Sequence, residues 1–172
     1  EHVFDPRKFD KITSRVRHNI APESNVVVFI GTIRRHKGII DVAEAVANTP
    51  DINTHLLVAG AFEGPELRSE IVALLGDRVT ILNDVPFESL PELINLGDFI
   101  CLPQDPLSET SQFQLPAKVM DGLAMGLKVI LQDLPTYDII KKYPGIFIRQ
   151  HDEDWSQALR RASSVSYTHL TL

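Results

Sequence analysis

The sequence predicts an α/β fold, a doubly wound, Rossmann-like parallel sheet of about six strands, and three observations predict it. Short, wholly apolar runs recur along the 172 residues. Between them lie stretches whose apolar residues repeat at helical spacing. The two kinds of segment alternate strictly. Strands apolar on both faces belong to parallel sheets covered by helices on both sides, and right-handed crossovers then make the doubly wound sheet the natural solution.

Each element can be justified in order. Residues 1–22 carry Pro6 after Asp5 and then a basic amphipathic stretch, so a linker with a lead-in helix is expected there. VVVFI (26–30) is β-branched, ends at Gly31 and reads as the first strand. In IIDVAEAVA (39–47), Ile39, Val42, Ala43 and Val46 share one helical face. HLLVAG (55–60) is the second strand, followed by a helix over 66–75 with Pro65 at its first turn. VTIL (79–82) is the third strand, and the next helix starts near Glu88 and runs through 91–96. FICLP (99–103) is the fourth strand, 104–114 reads as a polar loop, and a helix over 116–125 stops at Gly126. KVILQ (128–132), a short helix around 136–142 and GIFI (145–148) follow. Asp152 or Asp154 then caps a last helix carrying Trp155, Ala158 and Leu159. The closing SVSYTHLTL (164–172) has no hydrophobic period and resembles a translated sequencing-adapter read-through. One ligand-binding domain is therefore expected over 23–162, with a non-native tail over 163–172. The chain opens on Glu1 rather than Met, so a fragment of a longer protein is expected.

Composition narrows the function. A hydrophobic share of 44% is ordinary for a soluble protein, and no apolar run is long enough for a transmembrane segment. A formal net charge of −6 argues against a nucleic-acid partner. The single cysteine, Cys101, excludes an intrachain disulfide framework and a cysteine zinc cluster. Flanked by Phe99, Ile100 and Leu102, it is expected as a buried apolar residue in a reducing, cytoplasmic setting. His2, His18, His36, His55 and His151 show no metal-ligand spacing, so no metal site is expected. His55 reads as a strand-end residue. No nucleophile elbow or Ser-His-Asp order is visible.

Ligands of such a sheet sit beyond the carboxyl ends of its strands, where three segments stand out. GTIRRHKG (31–38) leaves the first strand at Gly31 and Thr32, passes Arg34, Arg35, His36 and Lys37, and enters a helix at Gly38. A helix start with added cations suits a diphosphate. The same residues also fit a solvated basic turn, and the segment is neither a P-loop nor a dinucleotide fingerprint. The second segment, 108–126, supplies Glu109, Phe113, Gln114, Leu115, Lys118 and Asp121. Lys118 and Asp121 stand three apart on one helical face, where the carboxylate could accept sugar hydroxyls or the two could form an ordinary surface pair. The third is NDVPFESL (83–90), whose Val85 or Pro86 could lie against a flat base.

Read together, the segments resemble the C-terminal lobe of the group 1 retaining glycosyltransferases, which have GT-B architecture. EHVFDP is similar to the hinge phrase that opens this lobe, FIGTIRRHKGI to its glycine loop, and PAKVMDGLAMGLKVI to its Glu-Ala-Met-Ala-x-Gly-x-Pro-Val helix. The resemblance implies that Lys37 and one of Arg34 or Arg35 hold the donor diphosphate. The family's first basic residue commonly follows the glycine directly, where this chain has Thr32. Amides around Gln114 and Leu115 would meet the phosphates, although Pro116 has no N–H to give. Asp121 falls on the second glutamate of the Glu-x7-Glu pair, which binds the donor ribose. The first glutamate position is Phe113, with Glu109 as a possible substitute from the loop, and Lys128 stands at the usual proline.

The implied activity is hexosyl transfer from a UDP-, GDP- or ADP-sugar, without a divalent metal or other cofactor. The acceptor would be bound by a missing N-terminal lobe, and the fragment alone would bind nucleotide with little turnover. The protein would be cytoplasmic, with any membrane contact made through that other lobe. Two alternatives stand beside this reading. One is a nucleotide-sugar 2-epimerase, whose acid/base carboxylate and histidine set is not visible here. The other is a non-catalytic nucleotide-binding or scaffolding lobe, favoured by Phe113 in the glutamate position.

Overall fold

The computed structural model describes residues 4–166. A 3-10 turn at Pro6–Lys8 leads to helix α1 (Lys11–Arg17), whose N-cap Asp10 accepts from the Ile12 and Thr13 amides. There follow β1 (Asn25–Ile30), α2 (Ile39–Ala47), β2 (Thr54–Ala59), α3 (Pro65–Leu75), β3 (Val79–Leu82), α4 (Leu90–Asn95) and β4 (Phe99–Leu102). Then come α5 (Glu109–Phe113), α6 (Ala117–Ala124), β5 (Lys128–Leu131), β6 (Ile146–Ile148) and α7 (Trp155–Ser164). The strands make one parallel sheet in the order β3-β2-β1-β4-β5-β6, the doubly wound α/β fold that the sequence predicts.

Alternation along each strand divides the core between the two faces. Val26, Val28, Leu57, Ile100 and Val129 pack with Leu93 and Val119 under α4 and α6. Val27, Phe29, Leu56, Val58 and Ile130 pack with Val42, Ile71 and Leu159 under α2, α3 and α7. Every residue of β2 is buried, which explains why its sequence runs apolar without alternation.

Three expectations are corrected. The polar loop over 104–114 contains α5. Its five residues are too few to display a helical period. The short helix around 136–142 contracts to a 3-10 turn at Pro135–Tyr137, and Pro144 beyond it biases Tyr143 away from helical geometry. The helix expected from near Glu88 begins instead at Leu90, after a 3-10 turn at Phe87–Ser89. Of the two candidate caps for the last helix, the structure selects Asp154. Its carboxylate accepts from the Gln157 amide, and the Gln157 side chain accepts from the Asp154 amide. That helix carries on through Ser164, and residues 167–172 of the expected non-native tail lie outside the described residues, as do residues 1–3.

Candidate functional site

Strand order reverses direction between β1 and β4. Six residue pairs join β1 to β2, whereas the β1–β4 ladder registers only Val27 with Phe99. Beyond that pair the carboxyl halves of β1 and β4 border a crevice of about 170 Å³. Open α/β sheets hold their ligands at this kind of switch point. Phe29 and Gly31 line it from β1, Leu90 and Ile94 from α4, and Lys118 and Asp121 from α6.

The basic turn starts at the crevice, whose lining includes Gly31, and then runs on to Arg35 and His36 beside a different hollow. Gly31 leaves β1 at φ +109°, and the Cβ it lacks would lie 3.5 Å from both Cε and Nζ of Lys118. Behind it, a Cβ on Gly60 would overlap the Gly31 carbonyl, so the loops after β1 and β2 meet backbone to backbone. Arg34 is extended, Arg35–Lys37 make a 3-10 turn, and Gly38 at φ +78° opens α2. A Cβ on Gly38 would come 2.6 Å from the Pro103 carbonyl oxygen, which seats the turn against the end of β4.

Lys118 is the charge that this packing brings to the turn. Its Nζ stands 5.1 Å from the centroid of the Phe29 ring, and among the described residues it has no hydrogen bond or ion pair. Burial, and then the charge of Lys37, push its pKa down to about 8. Asp121 lines the same crevice without pairing to Lys118, and burial raises its carboxyl pKa.

The other expected site residues divide into two groups. Thr32, Arg34 and Lys37 are exposed on the turn. Arg35 is turned toward α3, where its guanidinium donates to both carboxylate oxygens of Glu70. Val85 is half-buried and packs against the core on the α4 side. Glu109 begins α5 and Phe113 ends it, and Gln114 and Leu115 lie exposed in the link to α6. None of these four lines the crevice. Phe113 is 80% exposed, so its ring points into solvent.

Sequence reasoning missed the Phe29 ring under Lys118 and the backing by Gly60. It also missed a second, more open hollow of about 370 Å³ beside Gly38 and Pro103. Arg35, Gln104, Arg149 and Trp155 line that hollow, with Arg149 stacked 5.4 Å from the Trp155 centroid and donating to Gln132. The contacts join residues far apart in sequence, and no local motif signals them. Among the described residues, no three His, Cys, Asp or Glu side chains gather as a metal site, and no helix is long and apolar enough to cross a membrane.

Residues 24–164 match the model of the family described as glycosyl transferases group 1. No curated protein matches the chain. Among solved structures, it resembles WaaG, a glycosyltransferase involved in lipopolysaccharide biosynthesis, with a TM-score of 0.71 and 18% identity over 89% of this chain and 42% of that one. It resembles Anabaena Alr3699/HepE in complex with UDP and glucose, with a TM-score of 0.73 and 15% identity over 94% and 46%. It also resembles the sucrose-phosphate synthase of Thermosynechococcus elongatus, with a TM-score of 0.66 and 21% identity over 91% and 41%. The chain thus spans less than half the length of each of these proteins.

Proposed function

Because the chain belongs to the group 1 glycosyl transferases, we propose that its crevice holds the donor of a hexosyl transfer, a nucleoside-diphosphate sugar. One observation carries this reading: the cationic turn after β1 and the start of α6 converge on one spot, with Lys118 against Gly31 and within the field of Lys37. The apolar wall of Leu90 and Ile94 suits a nucleoside, and Asp121 beside it suits ribose hydroxyls. The first turn of α6 adds amides without intrahelical partners, oriented for anions. UDP and glucose in Alr3699/HepE, and ADP in the starch synthase IV of Arabidopsis thaliana, are consistent with a donor of this class.

In the proposed reaction the C1–O bond breaks and its electron pair goes to the β-phosphate oxygen. The acceptor oxygen bonds to C1 and its proton passes to the departing diphosphate oxygen, with retention at the anomeric carbon. Lys37, assisted by Arg34 or Arg35 and the helix amides, stabilises the charge that develops on the diphosphate. No divalent metal is invoked. The acceptor is assigned to a second lobe that this chain does not include, and the chain alone is expected to bind nucleotide without appreciable turnover. A cytoplasmic setting suits Cys101, a buried thiol whose pKa burial pushes up to about 12.

Titration with UDP, GDP and ADP tests the reading. At least one is expected to bind, and Lys37→Ala is expected to weaken it by about 10- to 100-fold, the usual worth of a charged contact. Parental affinity in Lys37→Ala would contradict the clamp. A non-catalytic nucleotide-binding lobe is the second reading, supported by the exposed Phe113 at the family's glutamate position. Release of nucleoside diphosphate from a donor by the full-length protein, dependent on acceptor, would exclude it.

A further inference from the structure

We infer that Lys118 is a further cation of the diphosphate site, set on α6 with its ammonium beside Gly31 where the turn begins. The inference rests on the donor-site reading above and deepens it by assigning a residue and a proton linkage.

Lysine is a costly choice at this position. Its neighbours on α6 are Val119 and Met120, and an apolar side chain would fill the space over Phe29 without burying an ammonium. The aromatic face returns only part of the lost hydration. Among the described residues, none pairs with Lys118 as a counter-charge. β1, β4 and α4 contribute only uncharged side chains to the crevice. Lys37 from the turn is a like charge, and Asp121, the only carboxylate among the described residues lining the crevice, forms no ion pair with Lys118. Two cations within each other's field, one of them desolvated and, among the described residues, without a hydrogen bond or ion pair, make a place where an anion is stabilised. The nearness of Nζ to Gly31 puts that anion beside the start of the turn.

A proton linkage follows. Burial and the Lys37 charge hold the Lys118 pKa down at about 8. A bound diphosphate favours the charged form and raises it. Around and above that pH, binding therefore takes up a proton, and affinity falls as pH increases. The phosphates contribute little to this, since their last ionisation is complete well below it, with a pKa of about 6.

The experiment is calorimetric titration of UDP, GDP and ADP at pH values from neutral to about one unit above the Lys118 pKa, in buffers of different ionisation heat. The parent chain is expected to take up a proton on binding, and its affinity to fall across the range. Lys118→Met is expected to bind at least about tenfold more weakly and to lose the proton uptake. Lys118→Arg, which does not titrate, is expected to keep its affinity flat across the range. Parental affinity and parental proton uptake in Lys118→Met would overturn the inference while leaving the donor site standing. If Lys118→Met melts early, Lys118→Arg decides: a parental pH profile in that variant overturns the inference. Failure of the parent to bind any of the three nucleotides would overturn the donor-site reading itself.

Discussion

Lys118 buries its ammonium where a methionine would cost less, and the cost has a thermodynamic signature. Its pKa falls from 10.5 in the unfolded chain to about 8 in the fold. The unfolded state therefore binds the proton more tightly, and the destabilisation is complete below about pH 8 and fades as pH rises toward 10.5. Lys118→Met is accordingly expected to raise the Tm of the unliganded chain at neutral pH and to flatten its rise through this window, as thermal melts will show; a lower Tm would contradict the burial argument. His55 carries a dependence of the same sign at lower pH. It is buried, bonded through Nε2 to the Thr80 hydroxyl at 2.9 Å, and burial lowers its pKa from 6.5. Its neutral form suits the fold, so stability is retained above about 6.5 and lost as pH falls through that value. Melts of His55→Gln at pH values below about 6.5 are expected to lack this loss. The sequence shows Lys118 and Asp121 on one helical face and Cys101 as a core residue. It does not show that Nζ stretches over Phe29 to Gly31, because that contact depends on how far β1 and β4 part.

At the scale of elements, the strands were legible to within a residue or so because each reads as a short, largely apolar run, fully buried in β2 and β4 and half-buried in the edge strands β3 and β6. α2 was legible over its whole length because four apolar residues hold one face. α5 was not, and the site suffers for it, since Glu109 and Phe113 sit on an ordered element rather than in an adaptable loop. The basic turn was legible as charge but not as direction. Arg35 and Lys37 are two apart, yet Glu70 draws the first toward α3 while the second acts on Lys118. Two predictions belong here. Gly38→Ala forces a Cβ against the Pro103 carbonyl at a positive φ, so it is expected to lower Tm and weaken nucleotide binding together. Asp154→Ala removes the capping box of α7 and is expected to cost about 0.5–2 kcal/mol by denaturant titration without changing nucleotide affinity.

At the scale of the molecule, residues before the sheet belong to its structure. Arg15, 4% exposed, donates to the carbonyls of Leu96, Pro22 and Ser24 and to the Asp98 carboxylate at 2.6 Å. Lys11 meets the other oxygen of Asp98 at 2.7 Å, and Asp98 also accepts from the Val26 amide. One carboxylate thus ties α1 to the start of β1 and the end of α4. The segment has the look of a linker because the carboxylate that holds it lies more than eighty residues away. Asp98→Ala leaves the Arg15 charge buried and unpaired, and is expected to cost about 3–5 kcal/mol of folding stability.

The account turns on two cations from opposite sides of the switch point serving one ligand. A double-mutant cycle tests it most directly: Lys37→Ala, Lys118→Met and the pair, each titrated with whichever of UDP, GDP and ADP the parent binds. The account predicts that each single change weakens binding and that the pair departs from their sum by at least about 0.5 kcal/mol. Strictly additive losses, or no loss from either single change, would contradict it.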